Sequence, residues 1–178
     1  MKKWLLLIAL IVSSFLITAC AGSSNASNAV VENGAFVFEP QAVIDQINAS
    51  IENSNDGGEY FTCDDFEASG ESIHTSDDWS RIILTFETND GGLITHCRLY
   101  WQVSGLDANV LSSAGLYSGV IIGTLSPNNA DEITESMTSI IVAGEGEANF
   151  ESEGIVVDFQ SFDGKNWLDI SIAEEDKS

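Results

Sequence analysis

Apolar residues recur at two spacings along this chain, and each spacing predicts a different element. Val43, Ile44, Ile47 and Ile51 lie three or four apart, a helical stripe that opens at Glu39-Pro40. The run Asn53-Ser54-Asn55-Asp56-Gly57-Gly58 ends it. Three strand candidates follow, with Ala35–Phe38 as a short one before the helix. Tyr60 to Ala68 has the weakest pattern. In Trp79 to Thr88, Ile82, Leu84 and Phe86 alternate with Arg81, Thr85 and Glu87. Asn89-Asp90-Gly91-Gly92 predicts a hairpin turn, because these residues tolerate positive φ. In Leu93 to Val103 the alternation puts Leu93, Thr95, Cys97, Leu99, Trp101 and Val103 on one face. Ile94, His96, Arg98, Tyr100 and Gln102 take the other.

The pattern then changes. Ala108 to Ala130 carries no charge, and Val110, Leu111, Ala114, Tyr117, Val120, Ile121 and Leu125 predict a buried helix that Pro127 stops. A further helix starts near Asn128 or Asn129, where Asn129 and Glu132 have the spacing of a capping box. It presents Ile133, Met137, Ile140 and Ile141 and ends at Gly144-Glu145-Gly146. Ile155, Val157 and Phe159, then Leu168, Ile170 and Ile172, form a final hairpin turning at Asp163-Gly164.

Together these elements predict an α+β fold: an antiparallel sheet of about five strands with two or three helices on one face. The order is also compatible with two helix-then-sheet halves, although no repeat is visible residue by residue. At 178 residues and 44% hydrophobic content, one domain with a proper core is expected.

The N-terminus has a separate logic. Met1-Lys2-Lys3 is a short positive start, Trp4 to Val12 is almost unbroken apolar sequence, and Phe15-Leu16-Ile17 extends it to Thr18-Ala19-Cys20. These are the physical parts of an export signal, and the apolar centre is short for a stable membrane span. Ile17-Thr18-Ala19-Cys20 resembles the lipobox of bacterial lipoproteins, with an aliphatic residue three before the cysteine and small residues between. The resemblance covers the first twenty residues only. It implies a diacylglyceryl thioether on Cys20, cleavage before it, and a palmitate-type lipid anchor on the extracytoplasmic face of a cell membrane or outer membrane. Two acyl chains hold firmly where one is marginal, at ~0.8 kcal/mol per buried methylene. Ala21 and Gly22 follow the cysteine rather than Asp, which in a two-membrane envelope favours the outer membrane.

On this reading residues 1–19 are the signal peptide and residues 20–34 a small, polar tether with a reach of about 20 Å. Residues 35–173 are a single acidic domain and 174–178 a charged tail. Removing residues 1–19 takes away Lys2 and Lys3 and no acid. Four bases then face 28 acids, and the net charge moves from −22 to −24. That surface repels nucleic acid and anionic headgroups. If charge recruits anything, the partner is cationic: a basic protein, an amine or a metal ion.

Candidate chemistry is sparse. Cys63 and Cys97 remain once Cys20 is lipidated; both fall in predicted strands, and thiols outside the cytoplasm tend to oxidise. A disulfide between them would close a loop of 34 positions, for a stabilisation of about 4 kcal/mol. They lack the Cys-x-x-Cys spacing of a redox pair. His74 and His96 are the only histidines, too few for a zinc site. Asp64, Asp65, Glu67, Glu71, Asp77 and Asp78 could offer oxygen ligands but match no calcium-loop pattern. No Gly-x-Ser-x-Gly nucleophile motif and no phosphate-binding glycine loop occurs; Gly115-Leu116-Tyr117-Ser118-Gly119 has the wrong spacing. Gly115, Gly119 and Gly123 line one helix face and suit a tightly packed core helix. Tyr60, Trp79 and Tyr100 are candidates for an aromatic surface that takes a sugar or a partner.

No catalytic residue, metal site or cofactor is therefore expected. The anchored domain reads as a non-enzymatic binding or envelope-associated module. A small hydrolase working through paired carboxylates and a cation-binding lipoprotein are the alternatives.

Overall fold

A computed structural model describes residues 30–54, 59–63, 71–75, 81–102 and 108–173, with residues 71–75 and Arg81 known by their backbone alone. The signal peptide, Cys20, most of the tether and the charged tail lie outside the described residues. The last part of the expected tether is already structured. Strands β1 (Val31–Glu32) and β2 (Ala35–Phe36) form a small hairpin around Asn33-Gly34, whose φ angles of 52° and 75° are those of a tight primed turn. Phe36 is fully buried, and Phe38 accepts the Ile94 N–H through its carbonyl, which docks the hairpin on the main sheet.

Helix α1 (Pro40–Asn53) begins at the proline and buries Val43, Ile44 and Ile47, the stripe expected. The segment after it is where the weakest strand was predicted. Residues 59–63 join no sheet. The side chains of two helices hold them instead. The Asn48 amide donates to the Cys63 carbonyl (3.0 Å) and accepts the Cys63 N–H (2.8 Å). Ser113 Oγ accepts the Phe61 N–H (2.9 Å), and the Tyr117 hydroxyl donates to the Phe61 carbonyl (2.6 Å). Alternate residues thus have both backbone polar groups satisfied without a neighbouring strand.

The main sheet is antiparallel and has six strands, in the order β3-β4-β5-β8-β7-β6. They are β3 (Glu71–Thr75), β4 (Arg81–Thr88), β5 (Ile94–Gln102), β6 (Gly146–Ser152), β7 (Ile155–Phe162) and β8 (Lys165–Ile172). Strands β3-β4-β5 form one meander and β6-β7-β8 another, each following helix. Their last strands, β5 and β8, pair at the centre. This arrangement gives the two-halves reading a structural basis that no residue repeat reveals.

Two strands lie outside those predicted: β3, at Glu71–Thr75 rather than Tyr60–Ala68, and β6, which takes the count to six. Strand β6 is an edge strand with one large apolar residue, Phe150, so its alternation is faint; the Glu153-Gly154 turn after it, with φ of 53° and 76°, is its clearest mark. Gly146 opens it at φ 153°, where a Cβ would meet Ile140 side-chain carbons at 3.2 Å.

Strand β5 departs from simple alternation at one point. Glu87 pairs with His96 but Thr88 pairs with Ile94, so Thr95 is an extra residue in a bulge. The bulge reverses the parity before it and buries Ile94 completely, where unbroken alternation had placed it outside.

Helix α2 (Ala108–Leu125), a 3₁₀ turn (Pro127–Asn129) and helix α3 (Ala130–Ala143) cover the inner face with α1. Among the described residues α2 alone is long and apolar enough to cross a membrane, yet 56% of it is buried within the domain, as a core helix should be. A Cβ at Gly123 would meet nothing within 4 Å, so no close backbone approach explains that glycine. Asn129 caps α3 by position but its side chain makes no capping bond; the helix starts through the 3₁₀ turn instead, with Asp131 and Glu132 in the favourable first turn.

The core forms where the two central strands meet the helices. Leu99 lies opposite Leu168, Cys97 opposite Ile170, and Trp101 stacks on Phe159 at 5.9 Å between centroids. The expected disulfide is absent. Cys63 and Cys97 are both buried as thiols but are not at bonding distance. The reason is the displaced segment: Cys63 is not in a strand beside β5 but is clamped to α1 through Asn48, and a disulfide requires sulfur-bearing carbons within a few ångströms.

Candidate binding face on the open side of the sheet

Alternation along the central strands gives the sheet a second face, and its outward residues are partly or fully exposed. Strand β5 contributes His96, Arg98 and Tyr100; β8 contributes Lys165, Trp167 and Asp169; Gln160 on β7 and Ile83 and Thr85 on β4 flank them. The eight of these other than His96 surround a shallow open depression of about 720 Å³.

Two clusters organise the face. One is aromatic: the rings of Tyr100 and Trp167, directly opposite across β5 and β8, lie 5.4 Å apart at 47°. The Tyr100 hydroxyl donates to Gln102 Oε1 at 2.8 Å. The other is ionic. Asp169 Oδ1 accepts from Arg98 Nε at 2.7 Å and lies 2.9 Å from His96 Nε2. His96 Nδ1 is 3.3 Å from Glu87 Oε1. The chain therefore links β4, β5 and β8 by charge on the outside as the apolar residues link them inside.

This setting shifts two groups. The Asp169 hydrogen bond raises the pKa of His96 above the ordinary value; burial opposes it and Glu87 adds to it. For Asp169, burial is the largest single influence and acts upward, but the hydrogen bonds and positive charges of His96 and Arg98 together outweigh it and lower its pKa. On the inner face, burial pushes the Cys97 thiol far up, helped by the negative charge of Asp169.

The geometry limits the chemistry. Ser171 lies directly opposite His96. Both imidazole nitrogens already face carboxylates, however, so neither is available to take a proton from that hydroxyl. Cys97 is held as a thiol and is a poor nucleophile. No group of three or more potential metal ligands occurs among the described residues.

Of the residues singled out in the sequence, His96 stands on the outer face as its parity predicted. His74 lies in β3, described by its backbone alone. Asp64, Asp65, Glu67, Asp77, Asp78 and Trp79 lie outside the described residues, and Glu71 is known by its backbone only. Of the candidates for an aromatic surface, Tyr60 packs against the core. Tyr100 finds its partner in Trp167 instead. Trp167, Asp169 and Gln160 were not singled out. Alternation with Leu168 and Ile170 marks the outward residues of β8, but only the pairing of β5 with β8 brings them to Tyr100 and Arg98.

Among the described residues, fold and site together define a small α+β domain with one helix-covered sheet face and one open face. Comparison with known proteins finds no matching family model, no matching curated protein and no matching solved structure.

Proposed function

We propose that this chain is a bacterial lipoprotein, anchored by lipid on Cys20 at the extracytoplasmic face of a membrane, whose domain binds a partner through the open sheet face. The anchor rests on Ile17-Thr18-Ala19-Cys20 and the charged, apolar and small segments before it. The binding role rests chiefly on one observation: Tyr100 and Trp167 sit together on an open sheet face amid ordered polar groups. Aromatic rings with a wet edge are the side chains binding surfaces favour. A hydrolase reading finds less support, since the most ordered carboxylate, Asp169, is committed to His96 and Arg98.

Two arms test the proposal in cells making the full chain. An alkyne fatty acid should label the wild type and fail to label Cys20→Ala. A photo-crosslinking residue at exposed Gln160 should form adducts that Trp167→Ala removes, while one at exposed Asp131, in α3, should not. Labelling that survives Cys20→Ala would refute the anchor; equal adducts from both positions would refute the face.

A further inference from the structure

Resting on that reading of the open face, we infer that its ligand is an uncharged polysaccharide segment, bound across β4, β5, β8 and β7 with a sugar ring on Trp167 and Tyr100. The first support is the mix of hydrogen-bonding groups. Arg98 and Lys165 only donate, Asp169 only accepts, and Gln160 and Thr85 do both. An anion would call for donors alone and a cation for acceptors alone. A row of hydroxyls, each donor and acceptor, suits the mixture. The apolar C–H face of a sugar ring suits the aromatic pair between them.

Charge supplies the second support. At a net charge of −24 the mature chain repels a polyanion and a second copy of itself. A basic peptide would be drawn to the molecule at large and to the acids around this face, Glu87 and Asp158 among them, but the depression itself offers it Arg98, Lys165 and one carboxylate, Asp169, already bonded to Arg98 and His96. Among the described residues no carboxylate pairs with Lys165. An uncharged ligand pays neither penalty.

Shape is the third. Three inter-strand spacings separate β4 from β7, about 14 Å. The depression is open rather than enclosed, so it fits the middle of an oligomer and not a single sugar sealed in a pocket. The Arg98 and Asp169 groups are held in place before binding by their mutual bond and by His96, which lowers the ordering needed to use them.

Isothermal titration of the full lipidated chain in neutral detergent tests this with four hexasaccharides. Cellohexaose and chitohexaose are uncharged, hexagalacturonate is acidic, and the glucosamine hexamer is basic. At least one uncharged oligomer should bind at submillimolar concentration and more tightly than both charged ones. Trp167→Ala should weaken it by roughly tenfold or more, and Trp167→Phe should restore most of the loss. Absence of binding by both uncharged oligomers, tighter binding of a charged one, or binding indifferent to Trp167→Ala would each overturn the inference. The crosslinking at Gln160 separates the levels. A null titration with face-specific adducts overturns the glycan alone, and a null in both overturns the face as well.

Discussion

The two sides of β5 were built by different forces. Cys97, Leu99 and Trp101 face the helices and are buried; His96, Arg98 and Tyr100, interleaved with them, face outward. The inner residues are held by exclusion of water, which asks only that each be apolar and fit. The outer ones are held by particular partners: His96 by Asp169 and Glu87, Arg98 by Asp169, Tyr100 by Trp167. Exchange among apolar residues of similar volume is tolerable inside. Outside, each residue has meaning only through the strand beside it.

The largest effect that would test this contrast is a cavity on the inner side. Phe159 is fully buried, lies opposite Leu168 and stacks on Trp101. Phe159→Ala should lose about 3–5 kcal/mol of unfolding free energy. Trp167→Ala, on the adjacent central strand but the other face, should lose about 0.5–1.5 kcal/mol, the worth of its ring pairing. Urea denaturation of both variants measures the difference. Equal losses would mean that the open face is as much a part of the core as the covered one.

A smaller effect is expected where side chains stand in for a strand. Asn48→Ala removes two part-buried hydrogen bonds, those to the Cys63 N–H and carbonyl. A loss of about 1–3 kcal/mol is expected in the same denaturation series. A loss near zero would mean that water replaces the amide and that residues 59–63 are not tied down by it.

The same contrast explains what could be read from the chain. Helices α1 and α2, the central strands and the Asp163-Gly164 turn were legible because apolar spacing and turn residues act locally. Ile94 was misplaced because a bulge at Thr95 changes parity without changing composition. Residues 60–63 look like a strand locally, and nothing local says that Asn48, Ser113 and Tyr117 will bond to them first. For the candidate site, the outward position of His96 and Tyr100 was readable. Their partners Asp169 and Trp167 lie 73 and 67 positions further on and depend on the β5–β8 pairing, which no short-range signal carries.

A still smaller effect separates the faces by pH. His96 can donate to both Asp169 and Glu87 only as the imidazolium, and its folded pKa is raised. The stabilisation from its charge is therefore complete below its unfolded value, about 6.5, and is lost as pH rises through the raised folded value. Asp169 runs the other way: its pKa is lowered, so its contribution holds above about 3.9 and is lost as pH falls through the folded value. Relative to His96→Gln, the wild type should gain most in melting temperature between these limits and lose the gain above them. The amount is at most about 1 kcal/mol, because Glu87 is largely exposed and its arm screened. A difference unchanged from pH 5 to pH 9 would show that the imidazolium has no structural part.

The smallest expected effect is none. Adding a reductant should leave the melting temperature where it is, because Cys63 and Cys97 are not bridged. In thiol titration, Cys97 should be unreactive while folded, and Cys63 and Cys97 should both react after denaturation. Exchange and oxidation proceed through the thiolate, and burial, aided by the charge of Asp169, keeps Cys97 protonated. A fall of several degrees with reductant would instead reveal a bridge, since a loop of this length is worth about 4 kcal/mol. His96 and Cys97 are consecutive residues with opposite fates. The carboxylates of the open face favour charge on one, and the covered face, reached by the field of the same Asp169, suppresses charge on the other. A one-residue step along β5 is thus enough to pass from a surface where protons matter to a core where they do not.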